Sequence, residues 1–177
     1  MLMRPEVSAF LRKNKLDSVV LVQSGEKPDS SFVYFTGVQK VSGCLAVNRD
    51  KMTLFVSPLE YGIAKKYSTV RDIQVLGKDI YEQLKRLSGK RVGMNFEHVS
   101  VNGLKRMQQK LKKKMVDASP LLREMRMVKQ KDELACIKKA CGITDNIYQK
   151  VFRDARSMKT EKEMKMIIEE EMRGYVV

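Results

Sequence analysis

The chain has 177 residues, 43% of them hydrophobic and 32% charged, which is enough to bury a core and excludes an intrinsically disordered chain. It contains no apolar run of about 18 residues, so no membrane-spanning helix is expected, and the charged opening M-L-M-R-P-E is not an export signal. A formal net charge of +14 leaves two readings open, an anionic partner or a lysine-rich solvated surface.

Pro5 stands in the first turn of a helix with Val7, Phe10 and Leu11 on one face. Asp17 and Ser18 end it, and V-V-L-V at 19–22 has the composition of a buried strand. Residues 24–31, S-G-E-K-P-D-S-S, are turn formers. In F-V-Y-F-T-G at 32–37, Phe32, Tyr34 and Thr36 alternate as strand residues do. G-C-L-A-V-N and K-M-T-L-F-V-S, split by Arg49 and Asp50, give the clearest hairpin pattern in the chain. Pro58 opens a short helix reaching Tyr67, followed by a strand at 73–77, a helix at 80–87 and a strand at 91–96. A basic amphipathic helix at 101–113 and a last strand at 115–118 complete the series. Strands alternating with helices specify an α/β layer fold, and the hairpin makes its sheet mixed.

Beyond residue 118 the pattern is helical. Leu134, Ile137, Cys141, Thr144, Ile147, Tyr148, Val151, Phe152 and Ala155 make one stripe. Asp132 and Glu133 suit the first turn of that helix. Thr160 and Glu163 form a capping box for a second helix carrying Met164, Ile167, Ile168 and Met172.

Catalytic patterns are missing. The only histidine is His98, with no Cys, Asp or Glu cluster around it to hold a metal. There is no G-x-S-x-G and no G-x-x-x-x-G-K-[ST]. Glu169, Glu170 and Glu171 point in three directions around a helix and serve solvation better than acid–base work. Cys44, Cys136 and Cys141 form no CxxC pair and fit free thiols in a reducing compartment. Six basic residues fall between Lys105 and Lys114. No aromatics are interleaved with them and no helix-turn-helix precedes them, so nucleic acid is not the expected partner.

The stretch V-D-A-S-P-L-L-R-E-M-R-M-V-K at 116–129, with T-E-K-E at 160–163, resembles the hinge between the two domains of the creatinase/prolidase family of Xaa-Pro aminopeptidases and prolidases. Asp117, Ser119, Pro120, Arg123, Arg126, Lys129, Glu133, Thr160, Glu161 and Glu163 occupy that pattern. Met158-Lys159 stands where the family has Gly-Met. F-V-Y-F-T-G-V resembles a second family segment, F-x-Y-L-T-G-F, and Pro28-Asp29 the N-x-D before it.

The resemblance implies an N-terminal domain over 1–118, a mixed sheet of about six strands with helices on both faces. Residues 119–177 would be the linker and first two helices of a catalytic domain. The family's two divalent metals (Mn, Co or Zn), with their Asp, His and Glu ligands, would lie beyond Val177. This chain should then bind no metal and hydrolyse nothing alone. Its expected role is dimerisation and active-site gating in a cytoplasmic enzyme acting on proline-containing peptides. Tyr34, Gly37, Val38 and Gln39 are the positions carried over for substrate gating. Leu134, Ile137, Ile147, Val151, Phe152 and Ile167 are those expected to meet the catalytic domain or a second copy. The alternative is a stand-alone binding module for a protein or nucleic-acid partner, because this fold also occurs without its metal centre in a histone-chaperone subunit.

Overall fold

A computed structural model describes residues 5–24, 27–157 and 159–175. Two compact units divide between Met127 and Val128. The expected boundary after residue 118 therefore lies nine residues before this division, and the intervening helix belongs to the first unit.

The first unit contains β1 (Ser18–Gln23), β2 (Gly43–Asn48), β3 (Met52–Val56), β4 (Asp72–Val75), β5 (Arg91–Met94) and β6 (Lys114–Asp117). Its helices are α1 (Pro5–Lys13), α2 (Ser30–Thr36), α3 (Tyr61–Tyr67), α4 (Ile80–Leu87), α5 (Val101–Leu111) and α6 (Ser119–Met127). The six strands form one mixed sheet in the order β4-β3-β2-β1-β5-β6. β2 runs antiparallel to both β1 and β3, while β4, β5 and β6 pair in parallel with β3, β1 and β5 respectively.

Side chains alternate across the sheet. Val19, Leu21, Leu45, Val47, Leu54 and Val56 join one core with α1, α2, α3 and α6. Val20, Cys44, Ala46, Phe55, Val92 and Met94 join a second core with α4 and α5. Helices thus cover both faces, as the alternation of elements predicts.

Residues 32–36 are helical, not extended. Asp29 adopts an extended backbone, and its Oδ1 accepts the Ser31 N–H at 2.8 Å, a standard N-cap. Phe32, Phe35 and Thr36 then face the core at helical spacing. The alternation of Phe32, Tyr34 and Thr36 is a by-product of having apolar residues on both registers. α6 was likewise hidden inside the stretch assigned to a linker. Asp117 Oδ1 accepts the Ser119 N–H at 2.9 Å, and Leu122 on the first full turn is buried.

The second unit holds α7 (Lys131–Asp154) and α8 (Glu161–Arg173). Gln130 and Glu133 close a reciprocal capping box at the start of α7. At α8 only half of the expected box forms: Thr160 Oγ1 accepts the Glu163 N–H at 3.3 Å, but Glu163 turns to the Lys159 N–H instead. α8 packs on α7, with an ion pair between Lys150 and Glu171.

Candidate functional site

The segment singled out for substrate gating is built around two buried polar side chains. Gln23, at the end of β1 and 3% exposed, donates from Nε2 to the carbonyls of Gln39 and Val41, both at 2.8 Å. Its Oε1 accepts the Asp29 N–H at 3.2 Å. One glutamine therefore ties both ends of the α2 segment to the central strand. Asp29 Oδ1 also accepts from Asn95 Nδ2 at 3.0 Å, fixing the start of α2 to the loop after β5.

The far end of α2 is latched to the residues after α3. The Thr36 carbonyl accepts from the Thr69 N–H at 2.9 Å and from Ser68 Oγ at 2.9 Å, and Thr69 Oγ1 donates to the Phe35 carbonyl at 3.0 Å. Gly37 terminates the helix with φ 72°, its N–H donating to the Val33 carbonyl. That left-handed conformation favours glycine.

The four expected residues are thus brought together in one corner, but in different roles. Val38 is buried at 4% exposure and works in the core. Gly37 contributes backbone. Tyr34 is half-buried, edge-on to Phe35 with ring centroids 5.5 Å apart. Only Gln39 presents an exposed side chain. The corner can shape and contact a ligand; it carries no nucleophile and no acid–base pair. The Gln23–Asp29–Asn95 network was not anticipated, although Asp-Ser-Ser before an apolar run is an N-cap signature.

The remaining candidates for chemistry are occupied elsewhere. His98 Nε2 lies 2.7 Å from the Lys27 carbonyl, and since a carbonyl only accepts, that nitrogen carries the proton. Burial pushes the Cys44 thiol up to about 12, so it is no nucleophile at neutral pH. Among the described residues no group of three or more His, Cys, Asp and Glu is placed to hold a metal ion. Lys113 does not belong to the solvated face of the basic stretch: it donates to the Lys85 and Ser88 carbonyls at the end of α4. There its charge meets the negative end of the helix.

In the second unit, Leu134 and Ile137 are each 45% exposed and Phe152 is 73% exposed. Phe152 stacks on Tyr148 with centroids 5.9 Å apart. Val151 and Ile167 are intermediate. Ile147, also named for that interface, is at 9% exposure the one buried residue of α7.

Comparison with known proteins places this architecture. Residues 4–128 match the Creatinase/Prolidase N-terminal domain family. The chain belongs to this family. An Xaa-Pro dipeptidase from Pyrococcus furiosus is 28% identical over 162 residues, 90% of this chain and 44% of that protein. The crystal structure of X-Pro aminopeptidase from Thermotoga maritima superposes with a TM-score of 0.79 at 23% identity, covering 94% of this chain and 49% of that one. A creatinase/prolidase N-terminal domain from an X-Pro dipeptidase of Streptococcus pyogenes covers 68% of this chain and 95% of its own length, with a TM-score of 0.52 at 19% identity. At such identities the structures establish the fold. The chain spans about half the length of the curated relatives it matches.

Proposed function

We propose that these residues form the non-catalytic half of an Xaa-Pro peptidase, supporting dimerisation and gating access to an active site assembled elsewhere. Membership of the creatinase/prolidase N-terminal domain family over residues 4–128 carries this reading. The corner formed by Tyr34, Gly37 and Gln39 is held rigidly by Gln23 and Thr69 and suits a wall that limits the length of a bound peptide. The apolar face of α7 suits protein contact: side chains such as Leu134, Ile137 and Phe152 are each worth about 1.5–3 kcal/mol when buried. We assign that face to a second copy of the chain, whose matching face would satisfy both at once. Divalent-metal chemistry on Xaa-Pro peptides is then a property of the whole enzyme.

Two measurements test this. Purified chain supplied with Mn²⁺, Co²⁺ or Zn²⁺ releases no amino acid from an Xaa-Pro dipeptide; metal-dependent turnover that survives repurification rejects the non-catalytic reading. Light scattering at tens of micromolar gives twice the chain mass of 20.4 kDa, and Leu134→Asp with Phe152→Asp returns it to the chain mass. A monomer with ordered helices rejects the dimer. Ile147 is left out of that variant, because at 9% exposure it is already buried in the single chain.

A further inference from the structure

On the sheet face opposite α2, the packing of α4 and α5 leaves a cavity of about 220 Å³. Its floor is Val22 and Cys44, directly paired across β1 and β2. Leu84 of α4 forms one wall and Met107 of α5 the other, with Tyr81 and Arg106 also lining it. The space exists because Cys44 and Gly103 are small where the two helices meet the strands. Cys44 is 6% exposed and free of any disulfide. The cavity lies at the carboxyl end of β1, where open α/β sheets commonly receive ligands.

The chemistry of the walls narrows the occupant. An apolar cavity of about 150 Å³ takes a benzene ring, so this one has room for a ring with a short arm. Met107 offers a polarisable thioether suited to an aromatic edge. The only charge in the lining is cationic. Arg106 is exposed and has no ion-pair partner among the described residues. Its neighbours along α5, Lys105 and Lys110, add to the positive field at the mouth. We propose that this cavity is a binding site for small aromatic carboxylates, with the ring seated over Cys44 and Met107 and the carboxylate paired to Arg106. The site is separate from the gating corner around Tyr34, which lies on the other core, so either can fail without the other.

The test is a titration of the full chain with 3-phenylpropionate, followed by amide ¹H–¹⁵N shifts. Saturable shifts centred on Val22, Cys44, Leu84 and Gly103 are expected, with a dissociation constant on the order of 0.1–1 mM for a ligand of this size. The neutral amide of the same compound should bind about twofold to fivefold more weakly, the span of a partly exposed ion pair. Arg106→Gln should remove that difference without affecting the amide. Cys44→Phe, filling the floor, should abolish binding of both; Val99→Phe at the lip serves if the first variant does not fold. Absence of saturation at about ten times the upper constant, or shifts centred away from these residues, overturns the site. Equal affinity for acid and amide overturns the assignment of the carboxylate to Arg106.

Discussion

Replacing Gly37 with alanine isolates the backbone demand at the end of α2. Gly37 holds φ +72°, and a Cβ built there would lie 3.1 Å from Thr69 Cγ2. Placing an L-residue in the left-handed region costs about 1–2 kcal/mol. The Thr69 methyl, part of the latch that holds α2 to the turn after α3, adds a few tenths because it has to give way. Stiffening the unfolded chain returns about 0.4–1 kcal/mol. The net loss is about 1 kcal/mol, roughly a fivefold shift toward the unfolded state. Urea unfolding of the full chain, followed at amides of β1 and β2, should show this as a lower midpoint with an unchanged slope. Gly37→Asn should lose less than Gly37→Ala, since asparagine tolerates the left-handed region better. If the alanine variant matches the parent within about 0.3 kcal/mol, or asparagine is worse than alanine, backbone conformation is not why glycine stands there.

Acid should loosen the first unit. The Asp17 carboxylate is held below its usual range chiefly by the Arg91 N–H; burial pulls upward, and the Lys90 N–H and the Arg49 charge help to outweigh it. For Asp72, burial pulls upward, but the Thr53 hydroxyl, Gln74 and Lys51 outweigh it. Both groups therefore contribute stability that is complete above the ordinary carboxylate value of about 3.9 and drains away as pH falls through their lowered folded values. Asp17→Asn should flatten the fall in urea midpoint between about pH 5 and 2; an unchanged profile counts against the assignment. In the second unit, Glu133→Ala removes the side chain that accepts the Gln130 N–H at 2.8 Å. It should fray the first turn of α7, lowering hydrogen-exchange protection at residues 134–136 by about 0.5–1 kcal/mol; unaltered protection there means the box is not stabilising.

The hairpin of β2 and β3 was legible because Arg49 and Asp50 interrupt two apolar runs, a purely local signal. α2 was not, because Phe32, Tyr34, Phe35 and Thr36 satisfy both the period of a strand and that of a helix. The deciding feature lay upstream, in the Asp29 cap. α6 was not told apart as a helix of its own: the pattern beyond residue 118 read as helical, while the family resemblance implied a linker there, although proline is at home in a first helical turn. The stripe on α7 was visible in sequence, but not that Ile147 alone would be buried, since burial depends on tertiary packing. The cavity had no sequence signal at all. Cys44 and Gly103 are unremarkable until the register of β1 with β2 and the approach of α5 set them beside one another. The corner around Tyr34 is a mixed case: its residues were singled out through family resemblance, while the Gln23 side chain that holds them belongs to no recognisable motif.

The order of pairing around β1 has a consequence for the protein during its synthesis. β1 meets β2 with a short loop and one helix between them, whereas its other neighbour, β5, arrives much later; Asp17 and the Lys90 N–H that it accepts are 73 residues apart. At about 5–20 residues per second, several seconds separate completion of β2 from completion of β5. Throughout that interval the nascent chain can hold only the β1-to-β4 part of the sheet, and one open edge of that part is β1. Val19, Val20, Leu21 and Val22 then present unpaired amides and carbonyls beside a hydrophobic surface, the arrangement most prone to pairing with the wrong chain. Ribosomal pauses before Met94 should therefore be the costly ones for yield, while pauses after Asp117, when both edges of the sheet are short four-residue strands, should be harmless.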